Sequence, residues 1–409
     1  MLRIFLAATL IDALGSGLWV PFALLFLVHG QGMGLVDAGA SLTTGALLAL
    51  LTGPATGAAM DRFGPRALLI AGNLVRLAAF AAYPLAHTSW QVIVVSAVAG
   101  FGDRLFWTCN APMVARLTTG ADTDRMLANQ TVGRFAGAGL GAAAMAVLPT
   151  ITSPWAFHLL AYVNAASFGV AALLIHLLPA LARESAPRSP GQKGHFHVQV
   201  PSGGWRAVLG DRAFTGFCVT HMAFTLASAA KFSVLPIVVR DLLHGPQWIA
   251  GTAITLGTVV VVTAQRPIVG LLAGRSRTAG LIGAAVLFAV CFALLIPLQA
   301  VSLPVATVLI LLTSLGFSIA ESLFGPTATA AAAAAAPPGA EGRASSIFQL
   351  SWGLPIALAP GLLAALLSVS NALTWSVLTL TCASAVPALL VLRRKLPGAL
   401  REPSPPVAA

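Results

Sequence analysis

The sequence predicts an all-α polytopic membrane protein, with twelve transmembrane helices in two pseudo-symmetric six-helix bundles and both termini on the cytoplasmic side. Three observations carry this expectation. Hydrophobic residues make up 57% of the 409-residue chain and charged residues only 9%, against about 25% charge in a soluble domain; mean hydropathy is +0.88. The apolar residues gather in runs long enough to cross a bilayer, which takes about 20 residues of helix. The basic residues between those runs fall on one side. A chain so poor in charge cannot cover a water-facing surface, and the same composition excludes disorder.

The first run, 3–28, is longer than the core of a signal peptide, carries Asp12 and is followed by further spans, so it is read as a helix that stays. The runs 39–60, 67–87, 90–117, 126–149 and 155–179 follow. Residues 180–212 then hold Pro187, Pro190, Gly191, Gly194, Pro201, Gly203 and Gly204, the composition of a linker. Beyond it lie 213–240, 247–273, 279–299, 302–330, 343–369 and 371–392. Within 302–330 and the alanine run after it, alanine propagates the helix until Pro337-Pro338-Gly339 stops it. The expected units are therefore 1–179, a cytoplasmic linker 180–212, a second bundle 213–392 and a cytoplasmic tail 393–409. Long continuous apolar runs are unlike the short alternating strands of a membrane barrel.

Charge sets the orientation. The chain has 23 Lys and Arg against 12 Asp and Glu, net +11. Most of the basic residues (Arg3, Arg62, Arg66, Arg116, Arg125, Arg183, Arg188, Lys193, Arg206, Arg212, Arg275, Arg277, Arg343, Arg393, Arg394, Lys395 and Arg401) lie in the inner loops and tails, and Arg240 alone lies near an outer end. This bias fits the positive-inside rule with both termini in the cytoplasm and an even number of spans. The basic excess is therefore topological. No basic face is interleaved with aromatics, so nucleic acid is not an expected partner.

The two groups of helices echo each other. Asp103-Arg104-Leu105-Phe106 in the fourth span parallels Glu321-Ser322-Leu323-Phe324 in the tenth, and Gly57 and Arg62 parallel Gly270 and Arg275. Internal repeats of this kind are characteristic of secondary transporters. The turn after the second span reads Gly57-Ala58-Ala59-Met60-Asp61-Arg62-Phe63-Gly64-Pro65-Arg66. It resembles the signature loop between helices two and three of the major facilitator superfamily, matched at Gly57, Asp61, Arg62, Gly64 and Arg66. Pro65 stands at a position that is often basic in that family. The resemblance covers the whole chain and implies a gating role for this turn. Gly133-Arg134-Phe135-Ala136-Gly137-Ala138-Gly139-Leu140-Gly141 resembles the glycine-rich fifth-helix signature of the 12-helix drug/proton antiporters, with Ala138 where proline is expected.

Charges inside the spans are the functional candidates, because an unpaired charge at the bilayer centre costs several kcal/mol. At 1.5 Å per residue Asp12 lies roughly 14 Å deep. Arg76, Asp103, Arg104, Arg134, Lys231, Arg266 and Glu321 are also within spans. These side chains are expected to face the cavity between the halves or to pair with each other. Helical spacing puts Asp103 on one face with Phe106, Trp107 and Asn110, Glu321 with Phe317 and Phe324, and Asp12 with Ser16 and Trp19. Asp12, Asp103 and Glu321 are the proton-coupling candidates. Trp19, Arg104, Phe106, Trp107, Asn110, Arg134, Lys231 and Phe324 are the substrate-cavity candidates.

Other chemistry finds no support in the residues. Cys109, Cys218, Cys291 and Cys382 are scattered in apolar runs, and His195 and His197 are too few ligands for a closed metal site. No grouped catalytic set and no Walker loop is present, so neither an enzyme nor ATP drive is expected, and no cofactor or metal. The expectation is a monomeric transporter in the cytoplasmic membrane, in contact with lipid, exchanging protons for a small apolar or cationic compound by alternating access. The alternative is proton-coupled import of a sugar, amino acid or anionic metabolite, which Arg104, Arg134 and Lys231 favour if they face the cavity.

Overall fold

The computed structural model describes residues 2–118, 154–178, 205–270, 275–337 and 340–401, with single positions between 126 and 143. The described residues are helical throughout their ordered segments, without a β-strand. The helices are α1 (Leu2–Trp19), α2 (Leu35–Leu50), α3 (Gly53–Phe63), α4 (Pro65–Ala82), α5 (Ser89–Leu117), α6 (Pro154–His176), α7 (Trp205–Gly210), α8 (Arg212–Ile237), α9 (Trp248–Gly270), α10 (Arg277–Leu295), α11 (Leu303–Ala335), α12 (Glu341–Val369), α13 (Asn371–Lys395) and α14 (Pro397–Leu400). Among the described residues, ten helical segments are long and apolar enough to cross a membrane. Most of the fifth expected span, 126–149, lies outside the described residues.

The second expected span, 39–60, is two shorter helices. The α ladder breaks at Leu51 and Thr52, whose amides bond instead to Leu48 and Ala49, and the Thr52 hydroxyl donates to the Ala49 carbonyl at 2.7 Å. Pro54 follows and has no N–H to continue the ladder. The first span reaches Gly30 through a tight turn at Val20–Phe22, where Pro21 falls, and a wide turn at Phe26–Gly30. The seventh reaches Leu242 through the same kind of wide turn, Val238–Leu242, so the two spans share a local irregularity. As expected, α11 continues through the alanine run and stops just before Pro337.

Helices α1 to α6 pack together, α1 on α6, α4 on α5 and on α6, and α2 on α5; those from α8 on do the same, α9 and α10 on α11, α10 on α13, and α8 on α12. Chain direction and short turns put the Gly57–Arg66 turn at one end of the molecule. Residues 30–34, 86–88, 243–247 and 370 lie at the other.

The two groups meet near that second end. His29 Nε2 lies 2.7 Å from Asp241 Oδ1. The Arg240 guanidinium lies over the Phe157 ring. Thr43 accepts from the Gly361 amide at 2.9 Å, and Thr255 donates to the Gly139 carbonyl at 3.2 Å. At Gly39 any Cβ would fall 2.6 Å from the Pro360 carbonyl, so only glycine lets α2 and α12 approach this closely.

This contact yields the first prediction. Gly39→Val should force α2 from α12 and cost about 1–3 kcal/mol of the closed contact. A cysteine substituted for Thr43 should then become reactive to a membrane-impermeant thiol reagent, against a background in which the native cysteines are buried. Equal protection with and without Gly39→Val contradicts the closure.

Candidate functional site

Asp12 of α1, Arg76 of α4 and Asp103 of α5 form one cluster. Arg76 Nη1 and Nη2 donate to Asp12 Oδ1 and Oδ2, each at 3.3 Å, with Asp12 2% and Arg76 4% exposed. Nη2 also donates to Asn73 Oδ1 at 2.7 Å. The flat guanidinium is held over two rings, Phe168 at 4.2 Å and Phe106 at 4.9 Å, a cation–π arrangement that serves a desolvated arginine well. Asp103 Oδ1 stands 3.6 Å from Nη1, and its side chain is 40% exposed. The crossing that allows this is at Gly102, where a Cβ would lie 2.7 Å from Arg76 Cγ. One cation thus serves two carboxylates, one locked in a two-pronged pair and one open to its surroundings.

A second ion pair lies in the other group of helices. Lys231 Nζ of α8 is 3.3 Å from Glu321 Oε2 of α11, with Lys231 buried and Glu321 17% exposed. The two acids that echo each other in sequence, Asp103 and Glu321, therefore each lie beside a buried cation from a neighbouring helix. Arg104 is half-buried, and among the described residues it makes no ion pair or hydrogen bond.

Several expected cavity residues are placed in the core instead. Trp19 packs on Phe26, Phe80 and Tyr83. Phe106 is buried beneath Arg76. Phe324 stacks on Phe224 with 5.0 Å between centroids. In this conformation each of these three has its ring against other rings or a cation, because helical spacing assigns a face without saying which neighbour covers it. Trp107, one turn beyond Asp103, is 47% exposed. Asn110 is engaged in a reciprocal amide pair with Gln130, at 3.1 and 3.3 Å, and Gln130 reaches on to Thr9.

In the signature turn Gly64 has φ +80. Arg66 donates to the last carbonyl of α6, His176 at 2.7 Å, and to Leu178 just beyond it at 2.8 Å, which satisfies a helix C-terminus. Arg62 is exposed beside Phe63. Gly57 and Asp61 lie on α3, but their side-chain surroundings, like Arg134 as a whole, lie outside the described residues. The second-half turn shows a comparable device: Arg277 and Thr278 donate to the carbonyls of Ala399 and Leu400. Among the described residues no group of His, Cys, Asp and Glu fits a metal.

Residue-by-residue reading undervalued three positions. Arg76 was visible only as one charge among several, since its partners are remote in sequence. Gln130 carries no charge to draw attention. His221 is buried in an apolar span with no patterned neighbour, and its Nε2 has no hydrogen-bond partner among the described residues.

The sequence profile described as Major Facilitator Superfamily matches residues 4–360. "Multidrug resistance protein MdtH" of Yersinia enterocolitica serotype O:8 / biotype 1B is 28% identical over 238 residues, 58% of this chain and 56% of the relative. The protein of that name from Yersinia pestis (strain Pestoides F) is 29% identical over 233 residues, 56% of this chain and 54% of the relative. The chain thus spans about half the length of the curated relatives it matches. A crystal structure of a POT family transporter in complex with 5-aminolevulinic acid superposes with TM-score 0.76 at 13% identity, covering 97% of this chain and 96% of that one. The nucleoside transporter NupG superposes with TM-score 0.72 at 13% identity, covering 96% and 98%. At those identities the two structures speak to the fold alone.

The buried pair generates the second prediction. Arg76→Gln leaves Asp12 charged and unpaired, and should cost about 3–5 kcal/mol of stability. Asp12→Asn added to Arg76→Gln should recover most of it, because the uncompensated charge is gone. Thermal unfolding of the three purified variants in one detergent checks this. A double variant no more stable than Arg76→Gln would mean the pair is not the cause.

Proposed function

The chain belongs to the major facilitator superfamily, and from that premise we propose that it is a proton-coupled exporter of small apolar or cationic compounds, working by alternating access in the cytoplasmic membrane. The observation that carries the reading is the pair of carboxylates on one buried arginine. Asp12 is held by both its oxygens, whereas Asp103 is half-exposed and only grazes Arg76. Asp103 is thus the carboxylate free to exchange a proton. Deprotonated, it shares Arg76 with Asp12 and attracts a cation; protonated, it releases that cation and leaves Arg76 to Asp12. Trp107, exposed on the next turn, offers an apolar face beside it. The relatives named as multidrug resistance proteins support an exporter over an importer.

In the cycle we propose, residues 1–179 rock as one six-helix bundle against residues 213–392, joined by the linker 180–212. With both termini in the cytoplasm and twelve spans, the end closed by His29 and Asp241, by α2 against α12 and by Thr255 against the Gly139 carbonyl faces outside. This conformation then receives solute from the cytoplasm. Export requires those contacts to part while the Gly57–Arg66 end closes. Asp61 and Arg62 act in that closure, and Arg66, bonded to the end of α6, ties the turn to the rest of its bundle. The Lys231–Glu321 pair is a second candidate for coupling in the other half. The alternative of anionic import draws on Arg104, which has no partner among the described residues; Lys231 supports it less, being paired with Glu321.

Proteoliposomes under an imposed pH gradient test the reading. Exchange predicts that a lipophilic cation accumulates on the acidic side as protons leave it, and that Asp103→Asn slows this by about a hundredfold or more, the scale of losing a proton-transfer group. Accumulation opposite the acid indicates import, and transport indifferent to the gradient defeats proton coupling. A separate measurement addresses the turn. Asp61→Asn should lower transport per folded molecule while membrane abundance stays near wild type, and unchanged transport per molecule refutes a gating role.

A further inference from the structure

His221 of α8 is buried among α11 and α12. Its imidazole lies 5.3 Å from the Phe324 ring, 4.6 Å from Phe348 and 5.0 Å from Trp352. Nδ1 is 2.8 Å from Ser351 Oγ, and Nε2 is buried with no hydrogen-bond partner among the described residues. Phe217, Thr220, Phe224, Leu281 and Leu389 surround the same spot. A hydroxyl has one hydrogen to give. Ser351 gives its hydrogen to the Phe348 carbonyl at 2.6 Å. Towards His221 it can therefore only accept, so Nδ1 carries the ring proton. In a neutral imidazole the other nitrogen then has a bare lone pair. That lone pair is a buried base with no donor to it among the described residues.

We infer that His221 is a proton-binding group of the transport cycle, taking a proton on Nε2 in the half of the protein remote from Asp103. This rests on the proton-coupled reading above. The step is a simple transfer: a hydronium ion gives its proton to Nε2 and leaves as water, Nδ1 keeps its own, and the product is an imidazolium whose Nδ1–H remains on Ser351. Three aromatic rings around the imidazolium supply π faces for its charge. The charged groups on the surrounding elements are Arg212 and Lys231 on its own helix, Glu321 on α11, Glu341 and Arg343 on α12, Arg277 on α10, and Arg393, Arg394 and Lys395 on α13. Among the described residues none of them hydrogen-bonds to the ring or forms an ion pair with it. Lys231 and Glu321 neutralise each other. Glu321 lies one turn from Phe324 on α11, which makes it the nearest titratable group along that helix. Ser351 is a positioning residue: it sets which nitrogen is free.

Two measurements test the inference. Nitrogen-15 histidine NMR of the full chain in nanodiscs, with the His221 signal assigned by its displacement in Ser351→Ala, should show the Nδ1–H form at neutral pH. An Nε2–H form overturns the inference without any transport assay. His221→Asn keeps an N–H donor where Nδ1 stood but removes the base. It should bind solute like wild type yet lose the acid-to-neutral difference in transport rate by about tenfold per pH unit, the factor carried by one proton. If wild-type transport depends on pH and His221→Asn follows the same profile, His221 fails while the exporter reading stands. If wild-type transport ignores pH, both fail together.

Discussion

A charge in hydrocarbon must be neutralised within the protein, and that constraint organises this molecule. Its strongest expression is Arg76. The guanidinium is bonded by two nitrogens to Asp12, accepted by Asn73, and set over Phe106 and Phe168. Five side chains from four helices, counting Asp103, are thereby fixed around one cation. The packing of α1, α4, α5 and α6 is the scaffold that this neutralisation needs, and the α4–α5 crossing at Gly102 brings Asp103 within reach of the same guanidinium. A buried pair of this kind adds little net stability over an apolar one, but breaking it is costly. The pair therefore acts as a constraint on arrangement more than as a source of cohesion.

The same constraint is met differently in the second group of helices. There a lysine from α8 answers a glutamate from α11, and the larger polar burden falls on His221 and Ser351 within an aromatic enclosure. The paired sequence echo at Asp103 and Glu321 thus has a physical content: each position is an acid beside a buried cation. The cations themselves come from non-equivalent helices. The wide turns at Phe26–Gly30 and Val238–Leu242 are a closer structural echo, and the pair His29 and Asp241 joins those two turns across the boundary between the groups.

Closure at one end rests on small residues and side-chain-to-backbone hydrogen bonds: Gly39 beneath Pro360, Thr43 with Gly361, Thr255 with Gly139. In a lipid environment helices gain little from hiding apolar surface from one another, and close backbone approach with a few polar bonds is the usual means of association. Such contacts are modest individually and are suited to being broken and remade. The capping of α6 by Arg66 is different in kind. It ties the signature turn to a helix end in its own group and gives that turn a stable base.

Much of this was legible in the sequence. Length and continuity of the apolar runs determined that the protein is helical and where most helices begin and end, because a bilayer imposes its thickness on any span. The positions of Asp12, Asp103, Glu321 and Lys231 inside those runs marked them as needing partners, since hydrocarbon tolerates no isolated charge. The sequence could not say which partners. Arg76 reaches Asp12 and Asp103 only because α1, α4 and α5 are adjacent, and that adjacency comes from packing. Helical periodicity grouped Trp19 with Asp12 and Phe324 with Glu321, but periodicity assigns an angle around one helix and says nothing of the helix standing opposite. The rings of Trp19, Phe106 and Phe324 were accordingly placed in the core by neighbours remote in sequence. The bare nitrogen of His221 is likewise a tertiary fact, because it depends on where a serine on α12 directs its one hydrogen.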